Sequence, residues 1–218
     1  MKKALIAACV ALVFCLAFTT QAVAQTEFGV GPIVGINFSS TSISPDPVYP
    51  AGYTKGGRTM IMFGAQAEVG FAKMFYIVLQ PTYEGKGYEI TGPSGSVTIS
   101  GNELDLPLLF KVKFLQGVIR PYAFAGPDLG FVLTATRSYS ITGLNRPDED
   151  LKSNTASTDF AIDFGGGAEY NVMPKLGITL DVRYSLGLSN MAKPPAGDPS
   201  ETDKVSGFQI FAGVMFHI

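Results

Sequence analysis

Charged side chains recur at every second position in several segments of this 218-residue chain, and they are the residues that could do chemistry. They alternate with apolar residues, so each set occupies one face of an extended strand. Facing carboxylates could act as general acid and base, whereas carboxylates facing cations would form ion pairs. We predict that the charged strand faces point to a shared interior and form an ion-paired polar network there. A paired-carboxylate catalytic site is the alternative. The network comprises Glu68, Glu84, Lys86, Glu103, Asp105, Lys111, Lys113, Arg120, Asp128, Asp163, Glu169, Asp181 and Arg183.

The remaining chemistry-bearing residues are few. His217 is the only histidine and lies one residue from the C-terminus, which restricts histidine metal sites and Ser-His-Asp triads. Cys9 and Cys15 both lie in an N-terminal segment that we expect to be removed. The glycines at residues 165–167 have no Lys-Ser/Thr after them, so they do not form a phosphate-binding loop. No catalytic residue, cofactor or metal site is predicted.

A second set of cations lies in segments between the alternating stretches. These segments are rich in Pro, Gly, Ser and Asp, which predicts loops. Cations there could contact lipopolysaccharide phosphates, and ordinary loop solubility explains them equally well. The set comprises Lys55, Arg58, Arg137, Arg146, Lys152, Lys193 and Lys204. The net charge of −2 gives no footprint for nucleic acid, so no nucleic-acid partner is expected.

Eight segments alternate with a period of two, which predicts the strands that must position these charges. The clearest covers residues 176–188, where Leu180 and Val182 lie on an apolar face opposite Asp181 and Arg183. Its length exceeds that of most globular strands and suffices for a tilted strand to cross hydrocarbon. The eight predicted strands cover residues 28–38, 59–71, 75–88, 103–114, 120–133, 159–170, 176–188 and 207–218.

The lengths of the connections give an independent signal, because long and short links alternate along the chain. The long links cover residues 39–58, 89–102, 134–158 and 189–206, and the short ones cover residues 72–74, 115–119 and 171–175. Outer-membrane barrels have tight turns at the periplasmic rim and long extracellular loops. We therefore predict an all-β fold, an eight-stranded antiparallel transmembrane β-barrel of the outer-membrane type.

The N-terminus has the layout of a secretory signal peptide. Lys2 and Lys3 precede an uncharged apolar run over residues 4–18, and Ala22 and Ala24 form an A-x-A cleavage site. A membrane-spanning helix is the alternative, but polar residues 19–21 interrupt the run. We predict that residues 1–24 are cleaved, leaving one barrel domain over residues 25–218.

Composition favours lipid as the solvent for the apolar faces. Only 16% of the residues are charged, which is low for a soluble domain, and the polar faces are largely Gly, Ser and Thr. A soluble ligand-binding barrel is the alternative, but its outward polar faces should carry denser charge. An aromatic girdle is expected at the strand ends nearest the short turns. Its predicted members are Phe28, Phe71, Phe75, Phe114, Tyr122, Tyr170 and Phe216.

Several motifs resemble the outer-membrane β-barrel domain family often labelled PorT-like. They are QPTYEGKGY at residues 80–88, LDLPLLFK at 104–111, RPYAFAGP at 120–127, FGGGAEY at 164–170 and DVRYSLGL at 181–188. The resemblance covers essentially all of residues 25–218 and implies a small Gram-negative outer-membrane barrel. It brings no catalytic residues, since fold alone does not fix activity.

These observations predict a structural or surface-interaction role through long extracellular loops, with no reaction. One alternative is binding or passage of one small ligand in the lumen, and another is a lipid-modifying enzyme. An eight-stranded barrel has room for side chains or one small ligand, which disfavours a water-filled, porin-like channel. The expected partners are outer-membrane lipid and lipopolysaccharide, the outer-membrane assembly machinery, and an extracellular partner of unknown identity.

Overall fold

The computed structural model describes residues 27–45, 47–71, 73–143, 145–193 and 202–218. The predicted signal peptide lies outside these residues. Eleven strands and one short 3-10 helix make up the described fold, and no described helix is long and apolar enough to cross a membrane. The strands are β1 Glu27–Ser44, β2 Thr54–Phe71, β3 Phe75–Leu79, β4 Thr82–Gly92, β5 Gly95–Asp105, β6 Leu108–Lys113, β7 Ile119–Ile141, β8 Glu149–Asp150, β9 Thr158–Met173, β10 Leu176–Gly187 and β11 Thr202–His217.

The strands close into one antiparallel barrel. β1 pairs with both β2 and β11, so the described sheet has no free edge between its first and last strands. Closure satisfies the backbone N–H and C=O groups that a lipid-exposed sheet edge would leave unpaired. The class of fold predicted from the sequence, an all-β barrel with antiparallel strands, is confirmed.

The count of eleven differs from the predicted eight for a local reason. Pro81 separates β3 from β4, and Pro107 separates β5 from β6, because proline has no N–H to donate to the sheet. The chain continues through each break and keeps its neighbours on both sides. Each pair therefore occupies one predicted position, and β8 is a two-residue addition that pairs with β7.

An apolar band surrounds the barrel. On β10 the outward side chains of Ile178, Leu180, Val182 and Tyr184 are between 38% and 59% exposed, while the intervening residues point inward and are buried. Outward apolar residues from 178 to 188 cover a band about 25 Å tall once strand tilt is included, the height of a hydrocarbon layer. The outward surface is therefore suited to lipid.

The aromatic girdle follows the prediction at every position except Tyr122. Phe28, Phe75, Phe114 and Tyr170 are exposed on the outward face near the short turns. Tyr122 is only 3% exposed and points inward. The prediction for Tyr122 is wrong because β7 has small residues on its outward face and aromatic residues on its inward face here. The sequence pattern alone therefore did not show which face of β7 contacts lipid.

The predicted long links are shorter in the structure, because strands continue beyond the apolar band. Residues 89–102, predicted as a loop, form a β-hairpin in which Gly92 pairs with Gly95 around Pro93 and Ser94. β1 runs on to Ser44 and β7 to Ile141. These two extensions are rich in Ser and Thr and have no continuous apolar face, so backbone pairing persists where the alternation that predicts strands has ended.

The segment that follows β7 folds back across the barrel mouth at the rim with the long connections. Leu151 donates its backbone N–H to the Ala135 carbonyl, and residues 152–154 form the 3-10 helix. An isolated bridge then joins Thr155 to Ala192. We call residues 149–156 the mouth segment.

Candidate functional site: the lumen and its mouth

Twelve of the thirteen network residues predicted from the sequence are buried inside the barrel, each no more than 7% exposed. They lie on β2, β4, β5, β6, β7, β9 and β10, and strand pleating sends their side chains to the same interior. Arg120 is the exception. It lies at the short-turn rim, where its Nη1 is 3.4 Å from Glu27 Oε2.

A compact ion-pair network fills the lumen near the short turns. The Lys113 ammonium lies 2.6 Å from Glu68 Oε1 and 2.7 Å from Glu169 Oε2, and Lys111 Nζ lies 3.1 Å from Glu68 Oε2. His217 Nε2 extends the network to the rim, 2.6 Å from Glu169 Oε1. These contacts tie β2, β6, β9 and β11 together across the interior.

Aromatic rings cover the two lysines. Lys113 Nζ is 4.1 Å from the centre of the Tyr76 ring, and Lys111 Nζ is 4.3 Å from that of Tyr122. A ring face attracts a cation, and the attraction grows when both partners are withdrawn from water. The inward placement of Tyr122 therefore has an electrostatic reason.

Arg183 occupies the middle of the lumen. Its Nη1 donates to Asp163 Oδ2 at 3.1 Å, its Nη2 donates to the Gln80 side-chain oxygen, and its guanidinium stacks 4.7 Å from the Phe211 ring centre. Gln80 Nε2 in turn donates to Gln66 Oε1 at 3.3 Å. These side chains therefore occupy the barrel interior at mid-height.

A third cluster lies toward the mouth, where one ammonium faces several carboxylates. Lys86 Nζ lies 2.9 Å from Glu103, 3.2 Å from Asp105, 3.4 Å from Glu84 and 3.5 Å from Asp159. We call these five residues and the neighbouring Asp128 the Lys86 cluster. Gln209 Nε2 donates to Glu84 Oε2 at 2.7 Å, which supports the cluster from β11.

Carboxylates outnumber cations in the lumen. Among the described residues, nine buried Asp and Glu side chains face four buried Lys and Arg side chains. Asp128 Oδ1 lacks a hydrogen-bond partner. Burial of unbalanced negative charge is costly, so the interior must take up protons or a cation to offset it. No three His, Cys, Asp or Glu side chains in the described part of the chain are arranged to hold a metal ion.

The sequence prediction missed several luminal residues. Asp159 completes the Lys86 cluster, and Gln66, Gln80, Gln209 and Asn37 are buried in the interior. The period-two alternation could have identified them, because it places each of these residues on the inward face of a predicted strand. The amides carry no charge and suggest no chemistry in the sequence, although Gln80 bonds to Arg183 and Gln209 bonds to Glu84 in the lumen.

Four of the seven cations predicted to contact lipopolysaccharide have internal partners. Lys55 donates to the Thr41 carbonyl oxygen, Lys152 donates to the Val132 carbonyl oxygen, Arg137 lies 3.2 Å from Glu149, and Arg146 stacks 4.2 Å from the Tyr139 ring centre. Arg58 is half-buried, and Lys193 and Lys204 are exposed. The seven cations therefore differ in their surroundings, and Arg146, Lys193 and Lys204 are the exposed members of the set.

A cavity of about 290 Å³ lies at the mouth, between the Lys86 cluster and the mouth segment. Lys86 and Glu103 form its floor, and Val132, Ala135 and Met191 contribute to its wall. It is large enough for a small organic molecule but ends at the filled lumen.

A closed antiparallel barrel with a lipid-adapted exterior and a charged interior defines a small transmembrane β-barrel protein. The chain belongs to the outer membrane protein beta-barrel domain family, whose model matches residues 23–193. This match identifies the outer membrane as its location, and PorT-like membership within the class stays a prediction. The match ends before β11, the strand that closes the barrel.

Solved structures show the same fold. Outer membrane protein OprG from Pseudomonas aeruginosa is similar with a TM-score of 0.59 at 13% identity, covering 89% of this chain and 97% of that one. Neisserial surface protein A is similar with a TM-score of 0.51 at 13% identity, covering 87% and 96%. At this identity the likeness concerns the fold alone. No curated protein has a significantly similar sequence.

Proposed function

We propose that this protein is a structural or surface-interaction barrel that works through its extracellular end and catalyses no reaction. In outer-membrane barrels the short turns face the periplasm, so the mouth with its cavity faces outward. The observation that carries the proposal is the filled lumen. Arg183, with Gln80 and Asp163, blocks the barrel at mid-height, which leaves the ends as the working surfaces.

The extracellular end has a surface with a defined, hydrogen-bonded structure. The β4–β5 hairpin and the outer part of β7 stay paired beyond the apolar band, and the mouth segment is fixed by backbone hydrogen bonds. Such paired strands present side chains in a defined arrangement at little ordering cost on binding. This favours contact with a partner over transport through the lumen.

The filled lumen predicts an electrically silent protein. The purified chain, reconstituted in planar lipid bilayers, should insert without producing stable conductance steps, because charged side chains occupy the path at three levels. Insertion is checked in parallel by heat-modifiable migration of the same preparation on gels. Steady conductance steps that scale with the amount of folded protein would contradict the proposal.

We further propose that Lys204 contacts lipopolysaccharide. Phe208, the last outward aromatic residue of β11, packs against Phe38 with ring centres 6.3 Å apart. Lys204 lies four residues further along the same outward face, roughly 13 Å from Phe208 along the strand at about 3.3 Å per residue. Aromatic residues mark the membrane interface, so this ammonium reaches the headgroup phosphates.

The Lys204→Gln variant should purify with about two- to fivefold less bound lipopolysaccharide, the loss expected for one exposed charge contact of up to roughly 1 kcal/mol. Lys175→Gln is the matched control, since Lys175 is exposed in the short turn between β9 and β10, at the opposite rim. Lipopolysaccharide content is measured by phosphate and sugar analysis of the purified proteins. Equal content in both variants would rule out the contact.

A further inference from the structure

The cavity at the mouth is lined by both apolar and polar side chains. Apolar side chains of Val132, Ala135, Leu151 and Met191 line one part of it, and Asn154 and Thr155 contribute polar groups. Its volume of about 290 Å³ lies near the lower limit of the cavities that take up small molecules. An apolar wall beside a few polar groups is the usual composition of a small-molecule site.

The mouth segment covers this cavity, and backbone hydrogen bonds hold it in place. The backbone N–H of Ala156 donates to the Met191 carbonyl oxygen at 2.9 Å, and the backbone N–H of Lys193 donates to the Asn154 carbonyl oxygen at 2.9 Å. The Arg137–Glu149 pair, 3.2 Å apart, adds a side-chain link between β7 and β8. The cavity is therefore preformed and needs little rearrangement to receive a ligand.

The charged residues of the lining balance, with three cations and three carboxylates, so the excess of carboxylates lies just beneath the floor. The Lys86 cluster places five carboxylates, those of Glu84, Glu103, Asp105, Asp128 and Asp159, around one ammonium group. Asp128 is only 4% exposed and its Oδ1 has no hydrogen-bond partner. A cation in the cavity would offset this buried negative charge, whereas an anion would add to it.

Three observations restrict the kind of cation. No described group of carboxylates has the arrangement of a metal site. The apolar wall would gain nothing from a small hydrated ion but would cover a hydrocarbon or aromatic body. Glu103, which lines the cavity, offers a carboxylate to which a ligand ammonium can donate.

We propose that this cavity binds a small organic ammonium ion with an apolar body. The ammonium group points to Glu103 at the floor, and the apolar body packs against Val132, Ala135 and Met191. This site is independent of the proposed surface role, since it could exist with or without a macromolecular partner.

Phenethylammonium is a suitable test ligand because it combines a primary ammonium group with one aromatic ring. Its binding to the full mature chain in lipid nanodiscs is measured by isothermal titration calorimetry, with empty nanodiscs as the blank. Neutral 2-phenylethanol and anionic phenylacetate have nearly the same size and shape. Phenethylammonium should bind saturably and at least about tenfold more tightly than either, as expected for a charge-assisted hydrogen bond.

Two variants, each with a matched control, locate the binding. Ala135→Leu fills the cavity without changing its charge and should abolish binding, whereas Ala123→Leu, on the lipid-facing side of the same strand, should not affect it. Glu103→Gln should weaken binding roughly tenfold through loss of the charge-assisted contact, while Glu89→Gln, outside the lining, should leave it unchanged.

Heat-modifiable migration on gels verifies that every variant is folded. The proposal is overturned if phenethylammonium gives no saturable heat above the empty nanodiscs, if phenylacetate binds equally well, or if folded Ala135→Leu binds as tightly as the wild type. A failure of this site would not bear on the conductance or lipopolysaccharide predictions, which concern different residues and readouts.

Discussion

Lys113 shows how a lysine is accommodated in the interior of a membrane protein. Its side chain is fully buried, and its ammonium bridges Glu68 and Glu169 beneath the Tyr76 ring. An isolated buried charge is very costly, but two carboxylates within 2.7 Å and an aromatic face replace much of the lost hydration. The residue thus links strands on opposite sides of the lumen.

Replacement of Lys113 by Met should destabilise the barrel strongly. Methionine fills a similar volume but leaves Glu68 and Glu169 without their shared cation, which costs about 3 to 5 kcal/mol when a buried pair is broken. The free energy of unfolding is measured by urea titration in lipid vesicles.

The control for this prediction is Lys175→Met. Lys175 is exposed at the short-turn rim, and its loss should change the free energy of unfolding by less than about 1 kcal/mol. Similar unfolding curves for wild type and Lys113→Met would show that the buried ion pairs contribute little to stability.

At the residue scale, the sequence predicted which charges point inward but not which of them meet. Period two assigns a side chain to a face, so Lys113 and Glu169 could both be placed in the lumen. Their contact depends on strand order, barrel curvature and register, because β6 and β9 are not neighbours in the sheet. Arg120 shares the inward phase but lies too close to the rim to reach the same interior.

Glycines on β9 allow large luminal side chains to lie across the sheet. A Cβ at Gly165 would overlap the Val182 carbonyl oxygen of β10 and would lie 3.0 Å from Cζ of the Phe124 ring. Phe124 lies in the same luminal layer as Arg183, whose guanidinium is 5.7 Å from the centre of its ring. Gly165, the first of the three glycines at residues 165–167, therefore has a packing role.

Gly165→Leu should prevent formation of the barrel, because the new side chain has no space on the luminal face and neighbouring backbone cannot move away cheaply. The fraction of protein that shows heat-modifiable migration after refolding into detergent should fall to near zero.

Gly117→Leu provides the comparison for the same substitution. No atom lies within 4 Å of a Cβ built at Gly117, which is in the exposed link between β6 and β7. This variant should refold like the wild type. Efficient refolding of Gly165→Leu would mean that the lumen is more loosely packed than described.

At the element scale, the apolar alternation predicted strand positions well but underestimated their length. The predicted strand over residues 120–133 extends in the structure from Ile119 to Ile141. Beyond the lipid band the outward residues are no longer apolar, so the pattern disappears although the hydrogen bonds continue. The two proline breaks were also hidden, since apolar alternation runs on past Pro81 and Pro107.

At the scale of the whole molecule, two environments act on one sheet. The outward side chains are apolar over a band about 25 Å tall, and the inward ones form a charged interior in which carboxylates exceed cations. The sequence predicted this division because an alternating strand separates its two faces completely. The mouth segment and its cavity could not be predicted, because they result from long-range backbone contacts such as the Thr155–Ala192 bridge.

Spin labels along β10 test this division most directly. Both native cysteines lie within residues 1–24, so in a chain produced from Gln25 onward single cysteines introduced at Ile178, Leu180, Val182, Tyr184 and Leu186 can be labelled specifically. In lipid vesicles these five labels should be accessible to dissolved oxygen and protected from a water-soluble nickel complex, with the strongest protection at mid-band. Labels at Thr179 and Ser185, on the luminal face, should be poorly accessible to both reagents. High nickel accessibility at Leu180 and Val182 would show that water surrounds the apolar face and would contradict the account.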